Sequence, residues 1–145
     1  MPTRRHTLAA VLAMLLTGAM PVATAQSTSA ERPHKVVIQV SDDQPAKWTL
    51  ALNNARNLQQ DLGAGQVAVE IVVYGPGIGM LKADSVAGNR VAEALGAGVS
   101  VIACENTMRG QKLGRDDMLT GIGFASAGVV RLMQRQQQGY AYIRP

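Results

Sequence analysis

Cys104 is the only cysteine among 145 residues. A single cysteine excludes an internal disulfide framework and a Cys-rich zinc site. What remains for it is the chemistry of a thiolate, which attacks sulfur and exchanges with other thiols. Its neighbours bear on whether that thiolate forms. Asn106 and Thr107 can cap a helical turn starting there, and free backbone N–H groups at such a turn stabilise a thiolate. Glu105 acts the other way, because a nearby negative charge favours the protonated thiol. Taken alone, these residues leave two roles open: a reactive thiolate, or a small buried hydrophobe.

The other polar groups offer less. Asp42 and Asp43 could form an acid/base pair or bind a metal. Adjacent carboxylates at a helix start more often serve capping and the helix dipole. Gly75-Pro76-Gly77-Ile78-Gly79 could bring backbone amides close to an anion. It lacks the G-x-G-x-x-G arrangement and a Walker lysine, so a turn after a strand is the better reading. Asp116 and Asp117 read as another helix start. Met80, Met108 and Met118 are too dispersed for a soft-metal site and read as packing residues. With only His6 and His34 in the chain, a catalytic triad or a His-based metal site has little to draw on. No metal and no organic cofactor is expected.

These residues must be placed by a scaffold, and the hydrophobic pattern predicts one. Lys35 to Val40 (KVVIQV) reads as a buried strand. Trp48, Ala51, Leu52, Ala55, Leu58 and Leu62 then recur at spacings of three and four. They make the apolar stripe of a helix from Pro45 to Leu62, stopped by Gly63 and Gly65. Gln66 to Tyr74 (QVAVEIVVY) is a second strand. A helix capped by Ser85 runs to Leu95, and Val99 to Cys104 (VSVIAC) is a third strand. Residues 105–123 hold at most short helical turns. Gly123 to Ser126 can form a brief fourth strand. Ser126 can cap a helix through Gln138 whose apolar side is Val129, Val130, Leu132 and Met133. Tyr140 to Ile143 is a final strand.

Strands without polar alternation, separated by helices, indicate a parallel sheet covered on both faces. The expected fold class is α/β, a three-layer α/β/α sandwich with a mainly parallel sheet of about five strands. Ligands in such sheets bind beyond the carboxyl ends of the strands. That edge would hold Asp42, Gly75, Gly77, Cys104, Asn106 and Thr107.

The N-terminus carries a different signal. Arg4, Arg5 and His6 precede a mostly apolar run from Leu8 to Met20, and Ala23-Thr24-Ala25 follows. Basic head, short apolar body and small-residue exit describe a secretory signal peptide cleaved after Ala25. The run is too short to span a membrane. Arg4-Arg5 hints at twin-arginine export, but Thr7 stands where a bulkier apolar residue is usual, which favours ordinary secretion. Residues 26–34 are a polar lead-in, and residues 35–145 the domain. Loss of Arg4 and Arg5 lowers the formal charge from +4 to +2. The remaining basic residues are scattered, so neither nucleic acid nor, after cleavage, a membrane is an expected partner. Aromatic residues make up only 3% of the chain, so the core is left to Ala, Val, Leu, Ile and Met.

Cys104-Glu105-Asn106-Thr107-Met108 after an apolar strand resembles the Cys-x-Asn-Thr-Met/Leu signature of the DsrE/DsrF-like superfamily. Tyr74-Gly75-Pro76-Gly77, Gly128-Val129-Val130 and Gln137-Gln138-Gly139-Tyr140-Ala141-Tyr142-Ile143 fit as well. The resemblance implies a compact α/β/α domain assembled as a trimer or hexamer. It also implies sulfur carriage as a persulfide on Cys104, with Asn106 and Thr107 beside it and a thiol-containing sulfur donor or acceptor protein as partner. The local sequence around the cysteine differs from that of the cytoplasmic relay proteins, and this chain carries an export signal. The expected function is therefore periplasmic sulfur handling. The alternative is a non-catalytic oligomeric module that binds a small ligand or supports an assembly, with Cys104 only packing.

Overall fold

The computed structural model describes residues 32–145. The expectations for residues 1–25 and most of 26–34 lie outside them. Five strands are present: β1 (His34–Val40), β2 (Val67–Val73), β3 (Ser100–Cys104), β4 (Gly123–Ala125) and β5 (Ala141–Ile143). Four α-helices lie between them: α1 (Pro45–Leu62), α2 (Gly88–Gly96), α3 (Glu105–Gly110) and α4 (Gly128–Gln137). The strands form one sheet in the order β4-β3-β2-β1-β5, and every neighbouring pair is parallel. This is the α/β class that the alternation of apolar strands and helices implies.

The two faces of the sheet are unequal. Val36, Ile38, Val40, Val69, Ile71, Val73, Val101 and Ala103 point to one face, where they meet Trp48, Ala51, Leu52 and Ala55 of α1 and Val91 of α2. Successive strand residues point to opposite faces, so Val37, Val72 and Ile102 point to the other. There they pack on Leu132 of α4 in a much smaller cluster. Helix α1 has the ends its pattern predicts, and Trp48, Ala51, Leu52 and Ala55 are its buried stripe. Leu62 lies partly exposed at its end. The N-cap is Gln44, without a side-chain cap bond. The capping role expected of Asp42 and Asp43 is therefore not taken up.

Helix α4 departs from its expected orientation. Val129, Val130 and Met133 are 62%, 44% and 49% exposed, although the apolar pattern assigns them to the core. Only Gly128 and Leu132 are buried. The stripe that faces the sheet is Gly128, Arg131, Leu132 and Arg135, also at helical spacing. Its polar members answer Glu70, which lies in the middle of β2 with its side chain 3% exposed. Arg131 Nε and Nη2 donate to Glu70 Oε1 and Oε2 at 2.7 and 2.8 Å. Arg135 Nε and Nη2 donate to Oε2 at 3.0 and 2.7 Å. A buried carboxylate left unpaired is far more unfavourable than an exposed valine. Pairing Glu70 therefore sets the rotation of α4.

Three smaller expectations shift. The second helix starts at Gly88, because the Ser85 hydroxyl accepts the Ala87 N–H in a preceding turn instead of capping a helix. Helix α4 starts at Gly128 after an Ala127 N-cap, and the Ser126 carbonyl accepts the Asn106 N–H. The glycine-proline turn after β2 extends into a 3-10 helix, Gly75–Leu81. Met80, Met108 and Met118 are all buried in the larger core, as expected of packing residues.

The Glu70 cluster generates a stability prediction. Burial alone would raise the Glu70 pKa, but the hydrogen bonds and charges of Arg131 and Arg135 outweigh it and hold the carboxyl below its ordinary 4.5. A depressed carboxyl stabilises the fold fully above the unfolded value and loses that contribution as pH falls through the folded one. Glu70→Gln should be less stable than the native chain by about 2–3 kcal/mol at pH 7, below the fully buried case because both arginines are partly exposed. In urea unfolding across a pH series, the gap should close progressively below about pH 4.5.

Candidate functional site

Cys104 ends β3 and is itself the N-cap of α3, with φ −82° and ψ 113°. The helix therefore begins at Glu105, one position before the turn expected to be capped by Asn106 and Thr107. A parallel strand feeding directly into a helix leaves its last side chain at the carboxyl edge of the sheet, where ligands bind in this architecture. Cys104 is a free cysteine and only 4% exposed.

The sulfur is surrounded by donors. The Gly128 N–H, at the start of α4, donates to Cys104 Sγ at 3.2 Å. Burial alone would push the thiol up. The Thr107 hydroxyl and N–H, with the N–H groups of Gly128 and Asn106, outweigh that effect and hold Cys104 below its ordinary value. Thr107 is held in turn, since its Oγ1 accepts the Gly75 N–H at 2.9 Å. A hydroxyl has one proton and two lone pairs. Accepting from Gly75 leaves that proton for the sulfur.

Glu105 does not oppose this arrangement. Arg115 Nη2 donates to Glu105 Oε1 at 2.6 Å, and the same guanidinium lies 4.3 Å over the Phe124 ring. The carboxylate expected to favour the protonated thiol is thus paired with Arg115.

The sequence-predicted residues separate into two groups. Cys104, Thr107 and Gly75 form one chain of contacts. The Asn106 N–H, which donates to the Ser126 carbonyl, also lies toward the sulfur, and its exposed side-chain oxygen accepts from Arg109. Gly77 and Asp42 do other work. The Gly77 N–H donates to the Ser41 carbonyl at 3.2 Å, and a Cβ there would lie 2.8 Å from the Val40 carbonyl oxygen. Glycine at that position lets the chain pass over the end of β1. Both amides of the Gly-Pro-Gly segment are thus engaged within the protein. The Asp42 carbonyl accepts the Trp48 indole N–H at 2.7 Å, and its carboxylate lies 3.8 Å from Arg144.

One contributor escapes a reading by spacing. Gly128 lies 24 positions beyond the cysteine it contacts. A Cβ on Gly128 would lie 3.0 Å from Tyr74 Cβ, so glycine there lets the first turn of α4 settle against Tyr74 and reach the sulfur. Only the quoted Gly128-Val129-Val130 similarity marked the position. Among the described residues, no group of three or more His, Cys, Asp or Glu is placed to hold a metal ion, and no helix is long and apolar enough to cross a membrane.

The thiol's surroundings can be probed by pH. The rate of Cys104 alkylation by iodoacetamide should rise with a midpoint below that of a free thiol. Thr107→Val removes the hydroxyl and keeps the N–H. It should move the midpoint up by about 0.5–1 pH unit, the worth of one hydrogen bond to the anion.

Comparison with known proteins places the chain. Its structure resembles that of a protein of unknown function from Methanobacterium thermoautotrophicum. That match has a TM-score of 0.74 and 38% identity, over 77% of this chain and 99% of the other. A conserved protein of unknown function from Bacteroides thetaiotaomicron shares the fold with a TM-score of 0.62 and 16% identity, over 83% of this chain and 100% of its own. The ychN protein from E. coli does so with a TM-score of 0.62 and 15% identity, over 77% and 99%. No curated protein matches the sequence. The family model for DsrE/DsrF-like proteins matches residues 34–145, which include every strand and helix of the sheet and the cysteine with its donors. The chain belongs to the DsrE/DsrF-like family.

Proposed function

We propose that the protein is an exported sulfur carrier that holds sulfane sulfur as a persulfide on Cys104. The observation that carries this reading is the set of donors around the sulfur: Gly128 N–H at 3.2 Å and Thr107, fixed by Gly75. A thiolate formed there attacks the outer sulfur of a polysulfide. The new S–S bond forms as the old one breaks, and the shortened polysulfide leaves with the electron pair. An acceptor thiolate then attacks the outer sulfur of the persulfide, and Cys104 leaves as thiolate. No electron source outside the two sulfur partners enters the exchange. The donors that favour the thiolate also favour its departure, since a thiol of low pKa leaves faster. Residues 1–25, with their basic head and apolar body, support export to the periplasm.

Mass spectrometry after polysulfide treatment tests the carrier. The protein should gain about 32 Da per bound sulfur, and added thiol should remove it. Cys104→Ser should gain nothing. The second reading, a binding or assembly module in which Cys104 only packs, is favoured by the burial of the sulfur at 4% exposure. An unmodified but alkylatable Cys104, with function retained in Cys104→Ser, would select it.

Self-association forms part of the proposal. Val129, Val130 and Met133 lie exposed along α4, and a trimer or hexamer of the kind implied by the resemblance would cover apolar surface there. Light scattering at micromolar concentration should give a multiple of the monomer mass. Val130→Asp should lower that mass, and a monomer in both would reject the assembly.

A further inference from the structure

Helices α1 and α2 both pack on the face of the sheet that carries the larger core. Two side chains bridge them. Arg90 Nη2 of α2 donates to Asn53 Oδ1 of α1 at 2.8 Å. Gln59 Nε2 of α1 donates to the Ala97 carbonyl, just past the end of α2, at 2.7 Å. The helical rise puts these bridges about 9–10 Å apart. A cavity of about 210 Å³ lies between the two helices. Small residues leave the gap, Ala55 on α1 and Ala94 on α2. Val99, directly before β3, also lines it. The cavity therefore sits toward the start of the strand whose other end carries Cys104.

The lining divides into a floor and a rim. Leu52, Ala55 and Val99 are buried and give an apolar floor. Arg56, Arg90 and Glu93 are the charged groups of the rim. Two guanidiniums against one carboxylate leave a single net positive charge. Arg56 is exposed and has no hydrogen bond or ion pair among the described residues. Arg90 uses one of its five N–H donors on Asn53. That bond fixes the guanidinium and leaves other donors for a ligand.

We infer that this cavity binds a small monocarboxylate with a compact apolar body, of the size of an aromatic carboxylate such as benzoate. The apolar body displaces water from Leu52, Ala55 and Val99, and the burial of that surface favours binding. The planar carboxylate matches the guanidinium fork. One negative charge neutralises the rim, whereas a second would stand uncompensated beside Glu93. The two bridges fix the spacing of the helices before the ligand arrives, so little conformational freedom is lost on binding. This site is independent of the sulfur chemistry at Cys104.

A titration with sodium benzoate, followed by amide NMR shifts at ionic strength held constant with sodium chloride, tests the inference. Saturable shifts concentrated in α1 and α2 are expected. Benzyl alcohol keeps the ring and lacks the charge, and sodium acetate keeps the carboxylate and lacks the ring. Each should bind about tenfold more weakly than benzoate, or worse. Arg56→Gln, at an exposed position that leaves the fold intact, should weaken benzoate binding by about tenfold. Lys82→Gln, which removes a cation outside the lining, and Cys104→Ser should bind as the native protein does. Absence of saturable shifts beyond the chloride control, equal binding of acetate or benzyl alcohol, or native affinity in Arg56→Gln overturns the inference.

Discussion

The arrangement of the second face depends on one buried charge. Glu70 stands in the middle of an otherwise apolar strand, and its carboxylate takes four hydrogen bonds from Arg131 and Arg135. Leaving such a group unpaired would be more unfavourable than exposing several aliphatic side chains. Helix α4 accordingly turns its arginines to the sheet and Val129, Val130 and Met133 outward. The rotation that pairs Glu70 also lays Gly128 against Tyr74 and brings the Gly128 N–H to the sulfur of Cys104. At the far end of the helix it lays the Arg135 guanidinium over the Tyr140 ring. Three features at separate places thus follow from a single ion cluster.

The thiol site is assembled from segments that meet only at the carboxyl edge of the sheet. β3 delivers the cysteine, α3 the Thr107 hydroxyl and two backbone N–H groups, the turn after β2 the Gly75 N–H, and α4 the Gly128 N–H. Burial and donation compete at the sulfur. Low dielectric disfavours the anion, yet it also strengthens each donor directed at it. Here the donors prevail. A buried thiol with oriented donors differs from a cysteine packed among aliphatic side chains, which has nothing to stabilise its charged form.

Local pattern was legible wherever neighbouring residues decide the outcome. The stripe from Trp48 to Ala55 and the proline at its start give α1 the ends that its spacing predicts. The apolar runs around β1, β2 and β3 place Cys104 at the edge of the sheet. Pattern failed where a distant group intervened. The valines of α4 read as a core stripe because nothing in their own segment reveals Glu70, more than 50 positions away. The glutamate inside QVAVEIVVY was the available clue, since a charge in a buried strand requires a partner. Asn106 and Thr107 follow the cysteine directly in the chain, but their division of labour was not visible. That division comes from the Arg109 contact on one side chain and the Gly75 contact on the other.

By itself the sequence determined the alternation of strand and helix, the parallel class and the position of the lone cysteine, because each rests on periodicity and short-range sterics. Its resemblance around Cys104 and at the C-terminus pointed to the family. Only the tertiary structure decided the electrostatic environment of that cysteine and the orientation of α4. The reason is the same in each case. Charge and hydrogen-bond energies depend on which groups meet across the sheet, and chain spacing does not record those meetings.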